Sequence, residues 1–363
     1  MIRATAAFGR LHYVIIQPMP YRKPRRLRSG DKVAILSPSW GGPNACPRVY
    51  ENGLKVLHEW GLKILEYPTT RATADFLSAN PQARADSLNE AFADPSVTAI
   101  IASIGGDDSV RVLPFLDRQA IARNPKIVMG YSDTTTLLVY GNLQGFVTFH
   151  GPSIMAGFSQ MESLPKQFQS HVREMLFDPK SRYQYQAYDA YSDGYPEWGI
   201  EENLGKVHEP KPAEGWRFLQ GSGRVTGELF GGCIEVLEFL NGTQFWPPTD
   251  FWAGKILFFE TSEEKPSPAR VKRILRNYGV QGLFDKVAAV LVGRARNYTT
   301  EEKEALDKAV RCVVSDEFGR RQLPIVTNMD FGHTDPQWIL PLGVRAELDC
   351  HSRRFGLVES WLE

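Results

Sequence analysis

The sequence predicts an α/β protein with an N-terminal parallel-sheet domain and a smaller, β-rich α/β domain at the C-terminus. Three observations carry this expectation. From Asp31 onward, short apolar runs alternate with helical patterns, as βαβ units require. Between about 180 and 220 the pattern breaks into an aromatic stretch interleaved with glycine, proline and charge. After Gly223 a second strand–helix alternation begins. The implied organisation is an extension over 1–24, an α/β domain over 25–165, a linker and aromatic-rich loop over 166–222, and a C-terminal domain over 223–363.

The elements follow in order. Lys32-Val-Ala-Ile-Leu-Ser-Pro38 is a buried-strand candidate, and Tyr50, Leu54, Leu57 and Gly61 then share one helical face. Leu62–Leu65 is a second strand, Ala83–Phe92 a helix, and Val97–Ile104 a third strand. Ser109–Leu116 is helical, Lys126–Gly130 is the fourth strand and Phe146–Phe149 the fifth. In the second half, strands are expected at Val225–Leu229, Lys255–Phe259, Val287–Val292 and Leu323–Val326, with helices near 233–240, 268–277 and 301–315. Arg345–Leu348 and Phe355–Val358 read as a terminal hairpin. Tyr183, Tyr185, Tyr188, Tyr191, Tyr195, Trp198 and Trp216 are too aromatic for a disordered linker, so 180–220 is an ordered loop or linker.

Composition narrows the function. Lys+Arg and Asp+Glu balance at 42 each, so no global field favours nucleic acid or an anionic membrane. No apolar run approaches the roughly 20 residues of a membrane span. The four cysteines, Cys46, Cys233, Cys312 and Cys350, form no C-x-x-C, which favours reduced thiols in a cytoplasmic protein. Residues 1–30 hold no Asp or Glu but seven basic residues, Arg3 to Arg28. With Met19 as a second possible start, that stretch reads as a dispensable extension.

Gly130-Tyr131-Ser132-Asp133 ends an apolar strand abruptly and opens an apolar helix. A serine at that apex exposes its hydroxyl over a helix N-terminus; it could equally be a helix cap. Gly105-Gly106-Asp107-Asp108 follows the third strand, where paired glycines allow either a backbone nest for an oxyanion or a plain tight turn. Glu260 closes the strand Lys255–Glu260, as a solvated strand end or a buried, partnered acid. His333 follows another β-like run and, like His150 and His208, has a structural reading as well as a catalytic one. No H-E-x-x-H or P-loop spacing occurs, so neither a catalytic metal nor a cofactor is expected.

Taken in order along the chain, these motifs resemble the LD-carboxypeptidase and microcin-C-immunity (MccF-like) family of serine peptidases. The resemblance runs from about Arg25 to Asp349. It includes Gly30–Pro38, Ile104-Gly-Gly-Asp-Asp-Ser109, Gly130-Tyr-Ser-Asp133, His150-Gly-Pro152, Gly227–Gly232, Ile256–Glu260, Gly332-His333 and Leu340–Gly343. It implies Ser132 as nucleophile, Glu260 and His333 as its partners, and the N–H groups of Gly106 and Asp133 as oxyanion hole. Gly105 and Trp198 would contact substrate, the site would lie between the two domains, and the protein would be a homodimer. Two departures stand out. Murein LD-carboxypeptidases tend to carry Arg-Gly-Gly-Tyr where this chain has Ile104-Gly105-Gly106-Asp107, and Cys233 stands where the family often has asparagine. Leu113-Pro-Phe-Leu-Asp117 is also closer to the MccF-like branch.

The expectation is therefore a cytoplasmic, metal-independent serine carboxypeptidase-type hydrolase acting on a peptide or peptidyl-nucleotide, as in microcin C resistance. The alternatives are a murein tetrapeptide LD-carboxypeptidase and a catalytically silent small-ligand binding protein.

Overall fold

The computed structural model describes residues 20–363. The possible start at Met19 and the basic positions before it lie outside the described residues. Tyr21 to Leu27 are part of the body: Arg22 N–H donates to Gly145 O, and Arg26 N–H donates to Glu363 O.

The first sheet is built from β1 (Lys32–Leu36), β2 (Lys63–Glu66), β3 (Val97–Ala102), β4 (Ile127–Gly130) and β5 (Thr148–His150). These run parallel in the spatial order β5-β4-β3-β1-β2. All six residues of β3 and all four of β4 are buried, as expected for apolar strands covered on both faces. Helices Pro47–Glu59 and Pro81–Ala93 each begin with proline in the first turn, where the missing N–H costs nothing. Tyr50, Leu54 and Leu57 form the buried stripe of the first. Gly61 lies beyond that helix, in a turn at φ +78°, so it belongs to the reversal and not to the helical face.

The second half contains β6 (Tyr183–Gln184), β7 (Ala190–Tyr191), β8 (Lys211–Pro212), β9 (Arg217–Gln220), β10 (Arg224–Cys233), β11 (Ile256–Glu260), β12 (Ala289–Gly293) and β13 (Ile325–Met329). It ends with β14 (Leu340–Leu342), β15 (Arg345–Asp349) and β16 (Arg354–Leu357). Apart from the small β7–β8 ribbon and β14, these strands make an eight-stranded sheet, β6-β16-β15-β10-β11-β12-β13-β9. Its centre, β10 to β13, is parallel, while β9, β15, β16 and β6 are antiparallel flanks. Strand β10 changes partner midway: Arg224–Glu228 pair with β15, and Leu229–Cys233 pair with β11. Every strand expected from the sequence is present, within one to four residues at its ends.

Two features join the sheets. Strand β14 leaves the second half of the chain and pairs antiparallel with β5, setting Leu340 opposite His150. The N-terminus of helix Thr135–Leu143 docks on the end of β10, where Cys233 N–H donates to Thr135 Oγ1 at 3.1 Å. The parallel strands thus end at a shared crevice, where ligands of open α/β sheets bind. The aromatic loop is packed: Tyr185, Tyr188 and Tyr191 are buried, Tyr185 OH donates to Ile339 O, and Trp216 Nε1 donates to Asp330 Oδ2. Among the described residues no helix is long and apolar enough to cross a membrane.

Candidate active site

Ser132 follows β4 by two residues and adopts φ +58°, a left-handed conformation that costs a non-glycine residue about 1–3 kcal/mol. Helix Thr135–Leu143 begins without a side-chain cap, so Ser132 is not the capping residue the sequence also allowed. The strain instead aims its side chain away from the helix and into a crevice of about 710 Å³.

Gly105 and Gly106 form one wall beside it. A Cβ on Gly105 would stand 2.9 Å from Ser132 Cβ and 3.1 Å from its Oγ, so only glycine fits. Gly106 has φ +150°, and a Cβ there would fall 2.1 Å from Ser39 Oγ. Ser39 Oγ in turn accepts from the N–H groups of Asp107 and Asp108 at 3.1 and 3.3 Å, fixing the turn. The Gly106 and Asp133 N–H groups have no acceptor among the described turn and loop hydrogen bonds. The Asp133 side chain points inward, where Oδ2 accepts from Ser109 N–H at 2.8 Å; burial raises its pKa.

The second sheet supplies an acid and an imidazole. Glu260, the last residue of β11, is fully buried, which removes the solvated strand-end reading. Its Oε2 lies 2.6 Å from His333 Nδ1, and its Oε1 faces His150 Nε2 at 3.6 Å. Gly293 and Gly332 allow this: a Cβ on either would come within 2.7 Å of Glu260 Cβ. His333 packs edge-on to Tyr131, with ring centroids 4.8 Å apart, and is only 4% exposed. Its Nε2 approaches Glu263 Oε2 at 3.0 Å but has no aligned hydrogen bond. Burial alone would lower the His333 pKa; the charges of Glu260 and Glu263 and the hydrogen bond to Glu260 outweigh it and hold the imidazolium well above the usual histidine range. Burial would likewise raise Glu260, but His333 and His150 keep it ionised to well below the usual carboxylate range.

Trp198 lines the same crevice, tilted against Tyr195 with ring centroids 5.8 Å apart, and its buried Nε1 has no partner among the described residues. Cys233 lies beside Glu260 in the β10–β11 register but does not line the crevice. Burial raises its thiol pKa far above the ordinary value, so it is no nucleophile. His208 serves the aromatic loop through its main chain. Among the described residues no group of three or more His, Cys, Asp or Glu could hold a metal ion. Sequence reasoning missed Glu263, Tyr131, Tyr195 and Arg296, all of which line the crevice. Of these, Tyr131 and Tyr195 stood within the turn motif and the aromatic stretch with no role of their own assigned, and Glu263 is an acid three residues beyond the end of an apolar strand.

Ser132 at a strained strand-to-helix turn and the His333–Glu260 pair thus open onto one α/β crevice, an arrangement compatible with serine-hydrolase chemistry. Models of the LD-carboxypeptidase N-terminal and C-terminal domains match residues 33–151 and 226–348. The Microcin C7 self-immunity protein MccF of Escherichia coli is 30% identical over 340 residues, covering 93% of this chain and 95% of the relative. A Bacillus subtilis protein named "Probable murein peptide carboxypeptidase" is 27% identical over 331 residues, covering 90% of this chain and 91% of the relative. The solved structure of MccF in complex with aspartyl sulfamoyl adenosine superposes with a TM-score of 0.83 at 29% identity, covering 94% of this chain and 100% of that one. The chain belongs to the LD-carboxypeptidase family of serine peptidases.

Proposed function

We propose that this protein hydrolyses an amide bond near the C-terminus of a peptidyl- or aminoacyl-nucleotide, in the manner of MccF, with Ser132, His333 and Glu260 as its catalytic triad. The single observation that carries this is the joint opening of Ser132, from the first sheet, and the Glu260-bound His333, from the second, onto one crevice.

The chemistry follows from the parts. Ser132 Oγ attacks the scissile carbonyl while His333 Nε2 takes its proton; Glu260 on Nδ1 fixes the tautomer and stabilises the imidazolium. The tetrahedral oxyanion is met by the Gly106 and Asp133 N–H groups, which Ser39 and the strained turn hold in place. His333 then protonates the leaving amine, and water admitted to the crevice hydrolyses the acyl-serine by the same steps in reverse. Trp198 provides an aromatic face at the crevice mouth, backed by Tyr195, on which a nucleobase stacks.

A fluorophosphonate probe tests the class, with mass spectrometry expected to find the adduct on Ser132. Parallel hydrolysis of aspartyl sulfamoyl adenosine and of an L,D-tetrapeptide tests the substrate. Faster turnover of the tetrapeptide would move the reading to murein recycling, and no labelling of folded protein would make the crevice a binding site only.

A further inference from the structure

Four carboxylate residues line the crevice, Asp107, Glu197, Glu263 and Glu264, against Arg296 and the imidazole of His333. Arg296 is already held in place, its Nε donating to Asp193 O at 2.9 Å. The carboxylates of Asp107 and Glu197 have no cationic partner among the described residues, and Glu264 reaches only Arg270, at 4.0 Å. Glu263 is the one placed at the reacting centre, with Oε2 3.0 Å from His333 Nε2. That nitrogen belongs to a residue buried to 4% exposure, lines the crevice, and makes no aligned hydrogen bond. Facing these acids are the rings of Trp40, Tyr195 and Trp198, a lining that favours a cation over an anion by both charge and π-face attraction.

The resting arrangement also obstructs the reaction. Nε2 must accept the Ser132 proton, yet Glu263 stands beside it and favours the protonated imidazole. A ligand that offers Glu263 a better partner removes the obstruction at the moment of binding. Given the serine-hydrolase reading above, we propose that the crevice selects substrates with an ammonium or guanidinium side chain on the acyl residue, and that Glu263 receives this cation and leaves His333 Nε2 as it does so. The proximity of Glu263 to His333 sets the charge close to the scissile bond, and the proposal assigns it to the residue whose carbonyl Ser132 attacks.

The test compares lysyl, norleucyl and aspartyl sulfamoyl adenosine with the full-length protein, by turnover and by binding to Ser132→Ala. Norleucine keeps the lysine stem without its charge. The lysyl compound is expected to lead norleucyl by about tenfold or more in kcat/KM, the order set by one charge-assisted hydrogen bond, with aspartyl slowest. In Glu263→Gln the lysyl-to-norleucyl ratio is expected to fall towards one; a ratio within one variant does not depend on how much of it is folded. Equal rates, an aspartyl preference, or an unchanged ratio in Glu263→Gln overturns the proposal. Fluorophosphonate labelling of Ser132 without any lysyl preference, in turnover or binding, overturns the cation selectivity alone. Absence of labelling overturns the hydrolase reading and, with it, this proposal.

Discussion

The backbone of Gly332 passes directly against the side chain of Glu260: a Cβ on the glycine would stand 2.7 Å from Glu260 Cβ and 2.8 Å from Oε2. With φ +103°, Gly332 also occupies backbone space that other residues enter only at a cost. The close approach delivers the next residue, His333, with Nδ1 2.6 Å from that same carboxylate. Gly332→Ala is therefore expected to destabilise the fold by about 1–3 kcal/mol and to depress kcat more than KM. Denaturant unfolding and steady-state kinetics on one preparation check both.

Ser132 trades stability for its placement. Ser132→Gly removes both the hydroxyl and the left-handed strain at φ +58°. It is expected to stabilise the protein by about 1 kcal/mol while lowering kcat by roughly 10⁶. A thermal melt above that of the natural protein, paired with lost turnover, is the expected result; an unchanged or lower melting temperature would contradict the strain argument.

The pH profile should report the two carboxylates around His333. Because Glu260 and Glu263 raise its pKa, the neutral base forms only above the ordinary histidine value of about 6.5. The acidic limb of kcat/KM is expected on the alkaline side of that value, and Glu263→Gln should move it to lower pH. Stability follows opposite signs for the two partners. The raised His333 contributes fully below about 6.5 and loses its contribution as pH rises through its folded pKa. The depressed Glu260 contributes above the usual carboxylate range and loses it as pH falls towards its folded value near 2. Chemical denaturation across pH measures this contribution.

Trp198→Ala should weaken binding of adenosine monophosphate by about 1–3 kcal/mol, with Trp198→Phe intermediate. Calorimetry on Ser132→Ala separates this from turnover. Equal affinity in all three variants would remove the stacking role.

Most of the scaffold was legible because its signals are local. Apolar runs such as Val97–Ala102 and Ile256–Glu260 are buried strands whose neighbours in sequence are helices, and periodicity reads this directly. The Gly130–Asp133 turn and the paired glycines stood out for the same reason: each is a short contiguous motif at the end of a strand. Less was legible where partners are distant. Strand β14 is three residues long and owes its existence to β5, almost 200 positions earlier. Neither Glu263 nor Tyr131 had a role that its sequence position could announce, since each matters through its distance from His333.

The sequence by itself determined the α/β alternation, the turn that strains Ser132 and the residue types available for catalysis, because hydrophobic period and turn chemistry act along the chain. Only the tertiary structure decided whether Glu260 was a solvated strand end or a buried partner, and whether Ser132 capped a helix or faced a crevice. Those outcomes depend on burial and on contacts made across two sheets. The same folding set a second carboxylate, Glu263, beside the imidazole that Glu260 already holds.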